Sequence, residues 1–289
     1  MVKIVVDSTC DLDKELMNKY NIEVLPLRIS INNEEFLDKV NVDVDYIYEK
    51  MRMGIVPKTS QVNPQDAYNV FEKLCKSKEE FIYIAFSSHL SGTYGLCKNI
   101  LDEFKERFND LNMEIVDSKT GAAAVGLMAL QGAKMAEKGL DFNSILANIH
   151  DMVEKSDYIF SISDLNWLTK GGRISKFKGT IGGILDIKPI LKVNDGCMEV
   201  IKMVRGKKRT LKTVVDLVCQ EVEKFQGQII GISHADDIET ANEIMKMIDE
   251  KIGKQKYMVS KIGSVLGTHL GIGGVGITFF KDEIKSYMK

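Results

Sequence analysis

Phe81-Ile82-Tyr83-Ile84-Ala85-Phe86-Ser87-Ser88-His89-Leu90-Ser91-Gly92-Thr93-Tyr94-Gly95 is the stretch on which the reading of this chain turns. Phe81 to Phe86 is an unbroken apolar run of aromatic and β-branched residues, the pattern of a strand buried on both faces. Polarity then switches at once, with Ser87, Ser88, Ser91 and Thr93 placed around Gly92. Leu96, Ile100, Leu101 and Phe104 follow at helical spacing. Hydroxyls and a glycine therefore stand between the carboxyl end of a buried strand and the amino end of a helix. Open α/β sheets bind ligands at that edge, and a helix start offers unpaired N–H groups that favour an anion. Ser91, Gly92 and Thr93 thus have two readings: a helix cap, or one wall of an anion pocket suited to a carboxylate.

The pattern repeats on either side. Lys3 to Val6 is a short apolar strand that breaks into Asp7-Ser8-Thr9-Cys10-Asp11 before a helix from Leu12 to Tyr20. Asp7 fits a loop-fixing acceptor of backbone N–H groups. Met113 to Val116 is a third such strand and ends in Asp117-Ser118. Between them, Ile22 to Ile31 alternates as a strand, and Asn32-Asn33 suits a hairpin turn. A helix starting at Asp43 or Asp45 runs to Met53, with Met51 and Met53 on its apolar face. Pro57 to Pro64 is a polar loop closed by prolines; Asn63 caps the next helix with Pro64 in its first turn. Thr59 and Ser60 lie outside that helix, so capping does not explain them, and they are candidates for a second group of pocket hydroxyls. Thr120 to Lys138 is a helix crowded with Gly and Ala, which suits close packing. Asp141 to Lys155 is another helix.

The composition changes near Lys155. Tyr158 to Ser163 is a strand, and Leu165 to Ser175 is polar, basic and glycine-bearing. Lys188 to Val193, Asn194-Asp195-Gly196 and Met198 to Val204 form a hairpin. Helices over Leu211–Phe225 and Ile238–Ile252 alternate with strands at Gln228–Ser233, Tyr257–Val265 and Gly274–Phe280; Gly267 to Gly273, containing His269, is a polar break. These runs predict an α/β lobe over residues 1–155 with a parallel sheet in an α/β/α, Rossmann-like arrangement. Residues 156–289 form an α+β lobe with a mainly antiparallel sheet.

The chain has 289 residues and a net charge of −2, ordinary values for a globular protein of two domains. That charge balance argues against nucleic acid as a partner. The five cysteines are scattered without a CxxC, which fits reduced thiols in a cytoplasmic protein. The four histidines stand apart from the cysteines, so no metal site is expected. There is no signal-peptide pattern and no apolar run of membrane-spanning length. Gly271-Ile272-Gly273-Gly274-Val275-Gly276 precedes a strand, so it fails as a dinucleotide loop. No Walker A pattern is present. Ser91 lacks the Gly-x-Ser-x-Gly elbow, since His89 and Thr93 flank it. A serine hydrolase or esterase built on Ser91 and His269, with Asp7 or Asp117, is the alternative reading. Lys170 to Lys178 and Arg205 to Arg209 are two basic clusters, either solvated faces or a docking or phosphate-facing rim.

Taken together, Asp7-Ser8-Thr9-Cys10-Asp11-Leu12, Thr59-Ser60-Gln61, Ser87 to Tyr94, Asp117-Ser118, Leu168 to Ile174, Lys188-Pro189-Ile190-Leu191 and His269 resemble the DegV family. These are fatty-acid-binding proteins that include the FakB subunit of bacterial fatty acid kinase. The pieces run in family order from end to end of the chain. The departure is Val62-Asn63-Pro64 after Gln61, where many members have Pro directly. The resemblance implies a two-lobe α/β fold with a fatty acid buried in a tunnel between the lobes. It implies a carboxylate held by Thr59, Ser60, Ser91, Gly92 and Thr93 with His269 close by, and Arg173 and Arg205 as partner or phosphate contacts. It further implies a carrier with no catalytic residue and no cofactor beyond its lipid. A separate ATP-dependent fatty acid kinase subunit would convert the carboxylate to an acyl phosphate in phospholipid metabolism. His269 then either holds the carboxylate or acts on the phosphoryl group.

Overall fold

The computed structural model describes residues 1–173 and 186–288. β1 (Lys3–Asp7) turns into α1 (Lys14–Lys19), capped by Asp13. The alternating run from Ile22 to Ile31 is not one strand. It divides at Pro26, which has no N–H to give a ladder, into β2 (Glu23–Leu25) and β3 (Arg28–Ile31), which enter different sheets. Asn32 and Asn33, at φ 50° and 67°, form the left-handed pair of a two-residue hairpin turn leading to β4 (Glu34–Leu37). Asp43 caps α2 (Val44–Arg52). Met51 lies on its buried face, whereas Met53 sits past the helix end and is 65 % exposed, so the expected two-methionine face is one methionine.

Thr59 and Ser60, expected in a loop, form β5 (Lys58–Ser60), antiparallel to β3. α3 (Pro64–Lys76) starts with Asn63 as cap. β6 (Phe81–Ala85), buried at every position, is followed by α4 (Thr93–Arg107), β7 (Met113–Asp117), α5 (Ala122–Glu137) and α6 (Phe142–Lys155). Then come β8 (Ser156–Ser161), α7 (Asn166–Gly171), β9 (Ile187–Asn194), β10 (Cys197–Arg205), α8 (Lys207–Val222), β11 (Ile229–His234), α9 (Ile238–Ile252), β12 (Lys256–Lys261), α10 (Ser264–Leu270) and β13 (Val275–Phe280). Three of these correct the sequence reading. The strand expected from Tyr257 to Val265 stops at Lys261, and the glycine-bearing breaks around Lys170 and His269 contain the short helices α7 and α10. The end of the Lys170 to Lys178 cluster lies outside the described residues.

The first sheet is parallel, in the order β2-β1-β6-β7. Alternate side chains of its central strands feed opposite layers. Val5, Phe81 and Tyr83 pack with Phe71 of α3 and Leu101 and Phe104 of α4, while Ile4, Val6, Ile82 and Ile84 pack with α5 and Ile145 and Ile149 of α6. The second sheet runs β10-β9-β8-β13-β11-β12 and is antiparallel except for β11 with β12. A third, small sheet joins β4, β3 and β5. The fold is thus the expected parallel α/β layer beside a mostly antiparallel α+β layer.

α5 joins the two main sheets. Its small residues permit close approach on both sides: Gly132 meets Ile4 of β1, and Ala123 and Leu127 meet Gly231 of β11. A buried glycine costs about 1 kcal/mol of helix propensity, offset here by packing that a larger side chain would block.

Candidate functional site

Asp7 sets the site's foundation. It is 1 % exposed, and its carboxylate accepts from Thr9 N–H at 3.0 Å, Thr9 Oγ1 at 2.5 Å, Phe86 N–H at 2.8 Å and Tyr83 Oη at 3.1 Å. The loops after β1 and β6 are thereby fixed to one another. Burial pushes the Asp7 carboxyl up, and these hydrogen bonds pull against it.

The loop after β6 carries Ser91, Gly92 and Thr93. Ser91 Oγ accepts from Thr93 N–H at 3.2 Å and bonds Thr93 Oγ1 at 2.9 Å. Thr93 is buried, and its Oγ1 accepts from Val62 N–H at 3.3 Å. A Cβ on Gly92 would lie 2.2 Å from Gln61 Oε1, so the Gln61 side chain rests directly on this glycine. These contacts stitch the β6–α4 loop to the chain just after β5. Ser91 both satisfies a helix-start N–H and faces the cavity. Gly92 and Thr93 do not line it; they form the buttress behind Ser91.

The cavity itself is lined by Thr59, Ser60, Ser91, Arg173 and His269 on its polar side. Gln61 and Thr120 add further polar groups, and Leu27, Phe86, Leu90, Gly121, Ala122, Tyr158, Phe160, Val193, Met198, Val265, Leu266 and Leu270 make the rest. Its free volume is about 60 Å³. Thr120, Tyr158 and Val193 also border a polar cleft of about 490 Å³. That cleft is larger, but two of its three lysines are engaged: Lys119 pairs with Asp195 at 2.6 Å and Lys192 with Asp157 at 2.7 Å.

His269 reaches the cavity from the last turn of α10, with Nε2 2.7 Å from Thr59 Oγ1. Its Nδ1 is buried, has no hydrogen-bond partner among the described residues, and lies over Gly171, where a Cβ would be 2.2 Å away. Burial, and after it the Arg173 guanidinium, bring the imidazole down from 6.5 to about 4, so it is neutral at pH 7. Arg173 donates from Nη1 to Gly171 O at 2.6 Å and from Nε to Leu90 O at 3.4 Å. One cation, a neutral imidazole and the hydroxyl-bearing side chains Thr59, Ser60, Ser91, Thr120 and Tyr158 thus line a mainly apolar chamber, an arrangement that can hold one anionic head group on a hydrophobic body.

Arg205 is elsewhere. Val193 and Met198, on either side of the turn of the β9–β10 hairpin, line the cavity, and in the turn Gly196 O accepts from Ser87 Oγ at 2.8 Å. Arg205 lies at the other end of β10, exposed and paired with Ile187. Seven residues separate it from the cavity residue Met198, about 23 Å along a strand. Of the two arginines expected at one rim, Arg173 therefore lies at the cavity and Arg205 does not. The hydrolase alternative also lacks its constellation. His269 bonds Thr59 rather than Ser91, its Nδ1 has no orienting carboxylate among the described residues, Asp7 is committed to its loops, and Asp117 accepts from Ser88.

The sequence reading missed the apolar wall from α10 and the hairpin. A signal for α10 was present: Gly263, Gly267 and Gly271 recur every four residues along one helix face. Each meets a side chain closely, Asp11, Tyr48 and Trp167 respectively. Among the described residues no group of three or more His, Cys, Asp or Glu could hold a metal ion, and no helix is long and apolar enough to cross a membrane.

A family profile described as "Uncharacterised protein, DegV family" matches residues 1–282. A DegV domain-containing protein of Clostridium perfringens is 32 % identical over 98 % of this chain and 99 % of its own. The solved structure of a stearic-acid-binding protein from Eubacterium ventriosum is similar at 25 % identity and a TM-score of 0.88, covering 96 % of this chain and 97 % of that one. So is that of DegV, a fatty acid binding protein from Bacillus subtilis, at 27 % identity and a TM-score of 0.84, covering 96 % and 98 %. With its full length matched and its fold shared, the chain belongs to the DegV family.

Proposed function

We propose that this protein binds a long-chain fatty acid between residues 1–155 and 156–289 and presents its carboxylate to a separate ATP-dependent kinase in the cytoplasm. The observation that carries the reading is the cavity that brings Thr59, Ser91, His269 and Arg173 together beside a mainly apolar wall. The ligands named for the Eubacterium and Bacillus relatives agree with it. Each buried methylene contributes about 0.8 kcal/mol. The carboxylate that follows must keep partners, because an unpaired buried charge is costly. Thr59 and Ser91 hydroxyls can turn to donate to it, and Arg173 supplies the opposite charge. Since the cavity holds about 60 Å³, an acyl chain enters only as lining side chains move aside. The carrier role assigns no bond-making residue to this chain and leaves the ATP chemistry to the partner.

Native mass spectrometry of the purified protein is expected to show a co-purified fatty acid. Thr59→Val and Ser91→Ala should each weaken a fluorescent fatty acid by roughly 1.5–3 kcal/mol, the worth of a hydrogen bond to a charged group. Arg173→Ala, at the cavity, should weaken it too, while Arg205→Ala keeps its lipid and loses only acyl phosphate formation with the cognate kinase and ATP. A chain that carries no fatty acid and binds none on titration would overturn the reading.

A further inference from the structure

We propose that Asp11 is a positioning residue for the anion site, setting His269 from the opposite end of α10. The proposal rests on the fatty-acid reading only for the ligand used to test it. α10 has seven residues, too few to hold a helix in place by itself. Its location is set by what grips it. At the start, Asp11 Oδ1 accepts from Gly263 N–H at 2.9 Å, and Tyr48 Oη donates to Ile262 O at 2.9 Å. At the end, His269 meets Thr59 at 2.7 Å. From Gly263 to His269 is six residues, about 9 Å of helix.

Asp11 is itself anchored. It lies in the loop after β1, its side chain is fully buried, and Lys39 Nζ stands 3.8 Å from Oδ1 while donating to Cys10 O. Gly263 is the only residue that fits there, since a Cβ would sit 2.9 Å from Asp11 Oδ1. The first and last turns of α10 are thus held by residues from before position 60, although α10 comes late in the chain. A shift at Gly263 is carried along a rigid rod to the imidazole. Asp11 touches no ligand; it fixes the helix that does.

The test measures cis-parinaric acid affinity and the ¹⁵N shifts of the His269 ring in the full chain. Asp11→Ala should move the ring shifts and weaken binding about tenfold, the scale of a lost hydrogen bond to a carboxylate. Asp11→Asn, which keeps the acceptor oxygen, should restore both to within about twofold of wild type. Should the alanine variant not fold, Asp11→Glu decides: it keeps the charge and moves the acceptor by one methylene, so it should shift the ring signals. Unchanged His269 signals and affinity in Asp11→Glu or a folded Asp11→Ala would overturn the proposal. Unchanged affinity in Thr59→Val and Ser91→Ala would instead strike the head-group reading, which keeps the two failures distinct.

Discussion

His269 stays neutral because of its surroundings: it is largely buried and has a guanidinium beside it. Its pKa is depressed from 6.5 to about 4, by burial first and Arg173 second. A depressed value means the folded state binds fewer protons than the unfolded one between those limits. The stability it contributes is present above pH 6.5 and is lost as pH falls through about 4. His269→Gln keeps a partner for Thr59 and removes the titration. The urea midpoint of the wild type should therefore fall more steeply than that of His269→Gln between pH 6.5 and 4, by an amount on the order of 1–3 kcal/mol. Parallel curves would refute the assignment. At this scale the sequence showed the hydroxyls and the histidine because their types are rare in apolar surroundings. It did not separate Ser91, which faces the cavity, from Thr93, which faces Val62, because both sit at one helix start and only the chain after β5 distinguishes them.

Elements with strong periodicity were legible, and those made from glycine and short polar runs were not. β6, α3 and α9 follow from apolar spacing and caps. α10 was hidden because its helical face is glycine, and α7 because its six residues run into Gly171 and Gly172; both read as breaks when no partner is in view. α10 lies against Tyr48, whose Oη would be 2.5 Å from a Cβ on Gly267. Tyr48 is fully buried and bonded to Ile262 O, so it has nowhere to swing. Gly267→Ala should destabilise the fold by about 1–3 kcal/mol despite alanine's better helix propensity. Adding Tyr48→Phe, which removes the colliding oxygen, should recover part of that loss in a thermal melt. A Gly267→Ala protein as stable as wild type would show that α10 can move away from α2.

For the molecule as a whole, strand type along the chain foretold two dissimilar sheets, because continuous and alternating apolar patterns differ. How those sheets meet was not legible, since it depends on residues far apart in sequence. α5 supplies the join. Of its sixteen residues, fourteen are buried, with β1 against one side and β11 against another. Neither sheet can lose this helix and remain covered, so each depends on the other for its closing layer. The consequence is thermodynamic cooperativity: a chain with two sheets that melts as one unit. Scanning calorimetry should give a single transition whose calorimetric and van't Hoff enthalpies agree. Gly231→Ala on β11, whose Cβ would lie 2.4 Å from Thr278 of β13 and 3.2 Å from Ala123 of α5, should lower that one transition rather than split it, because strain in one sheet is passed to the other through the helix they share.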